Sequence, residues 1–400
     1  MEVFVARQPI FDKDREVFGY ELSFRSGFET YYQALQSDTS DVDLLAYVNF
    51  GEWTAGKKGF VSFPKELLLM ELPILFPSDA TVVVLPEPTD PVDETLQRCR
   101  ELKDYDYTLA IEGPVARLLD NAYLDVADLA IVDFAKTSVE DRQGVYEQLQ
   151  AKGKKALAQN VETAEEFSQA AAWGYAYFHG EFFARPVVRA DQEIAANKLT
   201  YLQLLREVNG AALSYDEIAA LVEQDVALTY KLLRFMNSAW FGLKFEVNSV
   251  RHALVLLGPK EIKRWVSLVA VRSTGEDKPQ ELLIRSLTRA KASEQIGMLV
   301  GMDNHASELF LMGMFSVMDA LADKPMDEIL QRLPLSEDIK SALLKGEGAY
   351  RDVYRAVLAY ERGEWDELAN AAGVLKLEET ELPELYRSAL KWAADALAEM

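Results

Sequence analysis

Short runs rich in β-branched and aromatic residues alternate with amphipathic stretches through the first 190 residues of the chain. The strand-like runs cover residues 2–7, 17–23, 59–63, 81–85, 107–111, 129–134 and 155–159. Helix-like runs lie between them, among others at residues 91–104, 139–152 and 163–173. Strands and helices that alternate in this way predict a parallel sheet covered by helices. We therefore expect an α/β barrel whose functional site lies at the carboxyl ends of the strands.

Beyond the last of these runs the pattern changes and predicts helices almost throughout. Ser214 followed three residues later by Glu217 is a capping box, which marks the start of a helix. Gly258, which is followed by a proline, is predicted to end another helix. The chain therefore divides into two predicted domains, an α/β barrel over residues 1–190 and an all-α domain over residues 191–400.

The charge of the chain limits its partners. The 400 residues are 49% hydrophobic and 27% charged, which is an ordinary globular composition, and the formal net charge is -23. A chain this acidic repels the phosphate backbone of nucleic acids and anionic membrane surfaces. We therefore expect neither nucleic acid nor a membrane as a partner.

Cysteine and histidine are scarce, which limits the available chemistry. Cys99 is the single cysteine, so an internal disulfide is excluded. The three histidines are His179, His252 and His305, too few and too scattered for a multi-histidine metal site. The first residues lack the pattern of a signal peptide, and no stretch of about 18 apolar residues predicts a membrane span. These features favour a cytoplasmic protein.

Several segments of the first domain carry a family resemblance. Residues 6–12 (ARQPIFD) and 19–25 (GYELSFR) resemble the start of the EAL domain in EAL–HDOD signalling proteins of bacteria. Residues 158–163 (AQNVET) resemble a later strand end of that domain, and residues 180–186 (GEFFARP) resemble its closing segment. The fold that this resemblance implies is a TIM-like barrel, here shortened by about 50 residues against an ordinary barrel.

The second domain resembles the HDOD domain of the same proteins. Residues 232–242 (LLRFMNSAWFG) and 249–258 (SVRHALVLLG) are similar to its two hallmark segments. HDOD domains are related to HD phosphohydrolases, which bind metal through dispersed histidines and a His-Asp pair. This sequence contains no His-Asp dipeptide. Arg285 and Ser316 stand at positions where the family relationship would place metal ligands. We therefore expect no metal in this domain.

The resemblance implies that a ring of carboxylates in active EAL domains holds two metal ions, which activate water for cleavage of cyclic di-GMP. Matched position by position, the ring of this chain is incomplete. An expected glutamate falls on Val84, the expected catalytic lysine falls on Ile131, and an expected glutamate becomes Gln159. Aliphatic side chains cannot coordinate Mg²⁺, and an amide is a weaker ligand than a carboxylate. We therefore predict no phosphodiesterase activity, no metal and no other cofactor.

Some positions of the family site keep polar residues and are candidate ligand contacts. They are Glu21, Arg25, Glu112, Asp133, Gln159 and Glu162. Arg25 matches an arginine that contacts phosphate in active relatives. In the alternative interpretation, Glu21 and Asp133 serve only as hydrogen-bonding residues at strand ends, and we favour this alternative because carboxylates without metal repel a doubly anionic ligand.

The remaining candidate features are surface features of the helical domain. Trp240 and Phe241 end an aromatic run that could present an apolar surface to a partner, or that could belong to the core. Lys260, Lys263 and Arg264 form a basic patch on an acidic chain. This patch is either an ordinary solvated helix face or a docking site for an acidic partner.

Together these observations predict a non-catalytic signalling protein that acts by binding other signalling proteins, which the sequence does not identify. The alternative is a sensor that still binds cyclic di-GMP in the barrel without cleaving it. In the first hypothesis the helical domain docks the partner and the barrel supports or modulates that contact; in the second the bound nucleotide switches the helical domain. The sequence leaves the oligomeric state open.

Overall fold

The computed structural model describes residues 3–25, 50–86, 93–187, 196–210, 214–237 and 247–399. Contacts within the chain separate two compact units. The first contains Met1–Arg185 together with Ala359–Asp366, and the second contains Pro186–Leu358 together with Glu367–Met400. No helix of the described ranges is both long and apolar enough to cross a membrane.

In the described part of the first unit, eight strands close into a barrel in chain order. They are β1 (Val5–Asp12), β2 (Val17–Phe24), β3 (Lys58–Ser62), β4 (Thr81–Leu85), β5 (Thr108–Glu112), β6 (Leu129–Asp133), β7 (Lys155–Gln159) and β8 (Tyr177–His179). The predicted α/β barrel is therefore confirmed. From β2 to β8 the neighbouring strands are parallel.

Strand β1 departs from the predicted parallel arrangement, because it runs antiparallel to both β2 and β8. The link between β1 and β2 is a short turn in which the amide of Asp12 donates to the carbonyl of Glu16 over 2.9 Å. A parallel pair needs a crossover of a dozen or more residues, and this turn is far too short for one. Strand β1 therefore has to run antiparallel to β2.

The barrel encloses an apolar core. Side chains alternate along each strand, so every second residue points inward. The inward cluster consists of Ile10, Phe60, Val82, Val84, Ala110, Leu129, Ile131 and Leu157, with Phe18 and Tyr177 packed against it. This cluster closes the interior below the carboxyl ends of the strands.

Helices follow most strands of the barrel unit. They are α1 (Phe50–Thr54), α2 (Lys65–Leu69), α3 (Asp93–Asp104), α4 (Val115–Leu118), α5 (Ala122–Val126), α6 (Val139–Ala151) and α7 (Ala164–Trp173). Short 3₁₀ helices lie at Leu72–Leu75 and Glu181–Ala184. Ser138 and Thr163 cap α6 and α7, because each hydroxyl accepts a hydrogen bond from an amide three residues later.

The described part of the second unit is helical, as predicted. Its helices are α8 (Ala196–Asn209), α9 (Tyr215–Glu223), α10 (Val226–Met236), α11 (Val250–Thr274), α12 (Gln280–Leu299), α13 (Ala306–Phe315), α14 (Met318–Ala322), α15 (Met326–Arg332), α16 (Glu337–Lys345), α17 (Arg351–Arg362), α18 (Trp365–Leu375) and α19 (Leu382–Glu399). The last residues of α17 and the first of α18 group with the barrel unit.

Local signals in the second half of the sequence have structural counterparts. Ser214 caps α9, and its hydroxyl accepts a hydrogen bond from the amide of Glu217 over 3.3 Å. Gly258 has φ 71° and ψ 171°, so two helical segments meet at this residue inside α11. A glycine tolerates this backbone conformation and the following proline favours a new helical start, so the predicted break at Gly258 is present.

Candidate functional site

A pocket of about 380 Å³ lies at the carboxyl ends of the barrel strands. Its volume is near the lower end of the range of small-molecule sites, about 300–1,000 Å³. The lining residues are Ile10, Glu21, Leu22, Ser23, Phe24, Phe60, Ser62, Pro64, Leu67, Val84, Glu112, Ile131, Leu157, Gln159 and His179. We call this pocket the barrel mouth.

The floor of the barrel mouth is apolar. Val84 on β4 and Ile131 on β6 are 6% and 4% exposed, and both belong to the core cluster of the barrel. Phe60 and Leu157 continue the same apolar surface. The two positions at which the resemblance implies a metal-binding glutamate and a catalytic lysine are therefore part of the packed interior.

The rim of the barrel mouth carries polar groups. The imidazole of His179 is 8% exposed, and its Nε2 lies 2.8 Å from Oε1 of Gln8 and 3.5 Å from Oε2 of Glu21. Gln8 and Glu21 face each other in the β1–β2 register. Both oxygens accept hydrogen bonds, so this geometry favours the tautomer of the imidazole with its proton on Nε2. Nδ1 of His179 is buried without a hydrogen-bond partner in the described residues.

The structure brings three of the six candidate contacts to the barrel mouth. Glu21, Glu112 and Gln159 are lining residues, because they lie near the carboxyl ends of β2, β5 and β7. Sequence reasoning missed the pairing of His179 with Gln8. Only the antiparallel register of β1 brings these residues together.

Asp133 ends β6 but is not a lining residue of the barrel mouth. Its Oδ1 accepts hydrogen bonds from the amide of Ala135 and from Nδ2 of Asn160, each over 2.9 Å, and its Oδ2 lies 3.0 Å from Nζ of Lys136. Burial works against the charged form of Asp133, but these hydrogen bonds outweigh it and hold the pKa of the carboxyl below its usual value. The carboxylate thus links the loop that follows β6 to the loop that follows β7.

The two other candidates also lie outside the lining. The guanidinium of Arg25 stacks over the ring of Phe4, with its Cζ 4.9 Å from the ring centroid. Glu162 forms an ion pair with Arg185 in the segment that follows β8. The structure therefore does not place these two residues among the lining residues of the barrel mouth.

Arg142, which sequence reasoning missed, holds the loop after β6. Its guanidinium donates to the carbonyl oxygens of Phe134 over 2.6 Å and Thr137 over 3.2 Å, and its Nη1 lies 3.0 Å from Oε1 of Glu166. The Cζ atom lies 4.3 Å from the ring centroid of Phe134, and Tyr175 donates to the carbonyl of Arg142 over 2.8 Å. Nothing in the local sequence signals this cluster, because its partners come from separate elements.

Glu166, the acidic partner of Arg142, is itself held by hydrogen bonds. Burial disfavours the charged form of Glu166, yet hydrogen bonds from the amide of Glu162 and from Arg142 outweigh it and lower the pKa of the carboxyl. The amide of Glu162 lies 2.8 Å from Oε2 of Glu166. The cluster of Arg142 and Glu166 therefore connects the segments that follow β6 and β7. It lies outside the barrel mouth.

The lining of the barrel mouth does not fit the two-metal centre that the resemblance implies. Among the described residues, Glu21 and Glu112 are the carboxylates of the lining, whereas Val84 and Ile131 offer no ligand atom. Over the described ranges, no group of three or more His, Cys, Asp or Glu side chains is arranged to hold a metal ion. No chemical step through a metal follows from these residues.

In the helical unit, the three residues of the predicted basic patch differ in their surroundings. Lys260 is exposed and Lys263 is half-buried on α11. The guanidinium of Arg264 instead stacks on the rings of Phe310 and Trp392, at 4.3 and 5.0 Å from their centroids. Arg264 thus connects helices α11, α13 and α19.

The other candidates in the helical unit are an aromatic pair and the positions related to the HD metal site. Trp240 and Phe241 lie outside the described residues. Arg285 is 8% exposed on α12. Nη1 of Arg289, one turn further along α12, lies 3.1 Å from Oγ of Ser316. Arginine side chains therefore occupy the interior at the place where the family relationship would put metal ligands.

Comparisons with known proteins identify relatives over nearly the whole chain. The sequence model of the HDOD domain family matches residues 196–325. The chain is 31% identical to the protein named "Uncharacterized protein YuxH" of Bacillus subtilis strain 168, over 98% of each chain. It is 30% identical to cyclic di-GMP phosphodiesterase CdgJ of Vibrio cholerae, over 98% of this chain and 92% of that protein.

Solved structures with similarity to the first half of the chain contain EAL domains. A standalone EAL protein of Vibrio cholerae O395, in a form with bound cyclic di-GMP, is 19% identical, with a TM-score of 0.34. The match covers 46% of this chain and 92% of that protein. An EAL domain protein of Listeria monocytogenes EGD-e is 14% identical over 46% of this chain and 87% of that one, also with a TM-score of 0.34.

Proposed function

Because the chain belongs to the family of two-domain EAL–HDOD signalling proteins, we propose that it is a regulator whose barrel has lost phosphodiesterase activity. It acts in cyclic di-GMP signalling by binding other proteins. In this proposal residues 1–190 are a degenerate EAL domain and residues 191–400 are the HDOD domain. The signalling context follows from the family, and the loss of catalysis is the inference that the barrel mouth supports.

The observation that carries this proposal is the apolar floor of the barrel mouth. Two-metal cleavage of a phosphodiester needs several carboxylates around both ions and a charged environment for the attacking water. Val84 and Ile131, which stand where the family resemblance implies a metal-binding glutamate and a catalytic lysine, are buried in the packed core. Their side chains can neither coordinate a metal nor move a proton. In the part of the lining that the structure describes, the remaining carboxylates are Glu21 and Glu112, which are too few for two ions.

Hydrolysis of cyclic di-GMP is the second candidate function, and one specific observation favours it. The relative CdgJ, which matches 98% of this chain at 30% identity, is named a cyclic di-GMP phosphodiesterase. For this chain to share that activity, Glu21 and Glu112 would have to hold metal with ligands from elsewhere. The apolar positions at the floor argue against this arrangement.

The sensor alternative, in which the barrel binds cyclic di-GMP without cleaving it, is tested by titration calorimetry of the full chain with the nucleotide. We expect no binding heat at tens of micromolar nucleotide, with or without Mg²⁺, because two carboxylates border the pocket and repel a dianion at short range. Tight binding without cleavage would support the sensor and make Arg25→Ala the first variant to examine. The control is Arg100→Ala, which removes an exposed arginine on α3.

For the protein-binding role, we propose that Lys260 and Lys263 contribute to the docking surface. Both lie on α11, and Lys260 is exposed. Charges at the rim of an interface mainly change the association rate. Reversal of both charges (Lys260→Glu with Lys263→Glu) should therefore slow association with a captured acidic partner about tenfold at low salt. An unchanged association rate, with Lys340→Glu as the matched control, would exclude this surface.

A further inference from the structure

We propose that a groove between helices of the barrel unit docks an amphipathic helix of a partner protein, with apolar residues on one face and lysine or arginine beside them. The groove has a volume of about 590 Å³ and is lined by residues of α2, α3 and the 3₁₀ helix Leu72–Leu75. We call it the α3 groove. The inference rests on the proposed protein-binding role and adds a site and the chemistry of the partner.

Apolar side chains that water reaches are concentrated at the α3 groove. Ile74 and Tyr105 line it and are 50% and 65% exposed. Met70 and Leu75, which are close to Ile74 in the sequence, are exposed as well. In the described part of the barrel unit, Val139 is the one other large hydrophobic residue that is exposed. A contiguous apolar surface of this kind is typical of an interaction site.

The backbone after α2 turns part of an apolar run outward. Residues 67–76 (LLLMELPILF) are apolar except for Glu71. Glu71 has φ 59° and ψ 21°, a left-handed conformation that is unfavourable for a residue with a side chain. In the 3₁₀ helix that follows, Leu72 and Pro73 are buried, whereas Ile74 and Leu75 are exposed. Backbone strain of this kind occurs preferentially at binding sites, which agrees with a role for the exposed half of the run.

The charges at the α3 groove determine the charge of the partner. Nη2 of Arg98 lies 2.6 Å from Oε1 of Glu71, and its Nη1 lies 2.7 Å from Oε2 of Glu101. The hydrogen bond with Glu101 and the charges of Glu71 and Glu94 raise the pKa of Arg98 above its usual value. The carboxylates around this one arginine therefore leave an excess of negative charge. A lysine or arginine of a partner complements this charge and can pair with the half-exposed carboxylate of Glu71.

The fold and the net charge favour a helix of another protein as the occupant. The described strands close into a barrel, which leaves no sheet edge to which a peptide could add as a strand. A groove beside helices accepts side chains at positions i and i+4 of a helical partner. A second copy of this chain would bring a further net charge of -23 to an acidic surface, so repulsion opposes it.

The experiment measures binding of a fluorescent helical peptide of about 15 residues to the full chain by fluorescence anisotropy. The probe is made of leucine and lysine, with leucine at helical spacing. Two comparison peptides replace lysine by glutamate or leucine by serine. We expect the glutamate peptide not to bind and the serine peptide to bind about tenfold more weakly than the probe.

Variants of the chain locate the binding site of the probe. Ile74→Ser and Tyr105→Ser should each weaken binding about tenfold, and Glu71→Gln should weaken it about threefold. The matched control is Val139→Ser, because Val139 is also 50% exposed and lies on α6 outside the α3 groove. This control should bind the probe like the unmodified chain. Each variant is first checked for a cooperative melt, and both serine variants of the groove replace exposed side chains, so they should fold.

Equal affinity of Ile74→Ser and Val139→Ser for the probe would overturn the proposal, as would equal affinity of the chain for the probe and the serine peptide. A dimer of the full chain in sedimentation that Ile74→Ser dissociates would assign the groove to a second copy and would also overturn it. The cyclic di-GMP assay and the charge reversal at Lys260 and Lys263 do not involve the α3 groove. Failure of the proposed function is therefore distinguishable from failure of this inference.

Discussion

Gly313→Ala should lower the free energy of unfolding of the helical unit by about 3 kcal/mol, at the upper end of the usual cost of overpacking. Gly313 lies on α13 where this helix crosses α12. A Cβ atom at this position would stand 2.3 Å from the carbonyl oxygen of Arg289 and 2.6 Å from the amide nitrogen of Ala290. These are backbone atoms, so relief requires the two helices to separate. Separation would weaken the packing of both helices.

Urea unfolding followed by tryptophan fluorescence and circular dichroism measures this effect. Gly373→Ala is the matched control, because Gly373 lies on α18 and a Cβ atom there would meet no packed neighbour within 4 Å. There alanine removes the backbone freedom of glycine and should stabilise the protein by about 0.5–1 kcal/mol. Similar changes in the two variants would contradict the close approach of α12 and α13.

Arg142→Met should lower the free energy of unfolding of the barrel unit by about 3 kcal/mol, since the loss of one partner of a buried ion pair leaves the other uncompensated. Arg142 and Glu166 are 8% and 26% exposed, so the pair is largely shielded from water. The substitution also removes the donors to the carbonyl oxygens of Phe134 and Thr137. Methionine keeps much of the volume, so the loss reports on charge and hydrogen bonds.

The matched control for this prediction is Arg100→Met, which replaces an exposed arginine on α3 and should change the free energy of unfolding by less than about 0.5 kcal/mol. The free energy of unfolding of Glu166→Gln should lie between those of Arg142→Met and Arg100→Met, because the amide oxygen of the glutamine still accepts a hydrogen bond from Arg142. A stability of Arg142→Met within the range of the control would contradict the structural role of this cluster.

The strands of the barrel were predictable from the sequence where they are continuous apolar runs. β4 and β7 begin and end at the predicted residues, because a buried parallel strand is apolar on both faces and polar residues flank it. β8 was not predicted, since a strand of three residues is too short to show a period. The direction of β1 was not predicted either, because it depends on the length of a turn rather than on the composition of the strand.

The composition of the site was partly predictable. Glu21, Glu112 and Gln159 meet at the barrel mouth because they lie near the carboxyl ends of parallel strands, which a closed barrel brings to one face. Asp133 shares this position along its strand, but local hydrogen bonds to Asn160 and Ala135 hold its side chain. Such competition between neighbouring polar groups depends on side-chain geometry, and a sequence pattern does not contain it.

The measurement that tests the central claim most directly is the turnover of cyclic di-GMP by the full chain with Mg²⁺ or Mn²⁺, followed by chromatography of the nucleotide. The account predicts that the nucleotide remains intact, because Val84 and Ile131 close the floor of the barrel mouth with hydrocarbon. Metal-dependent conversion to the linear dinucleotide that is abolished in Glu21→Gln would contradict it. That result would assign to this barrel the activity for which its relative CdgJ is named.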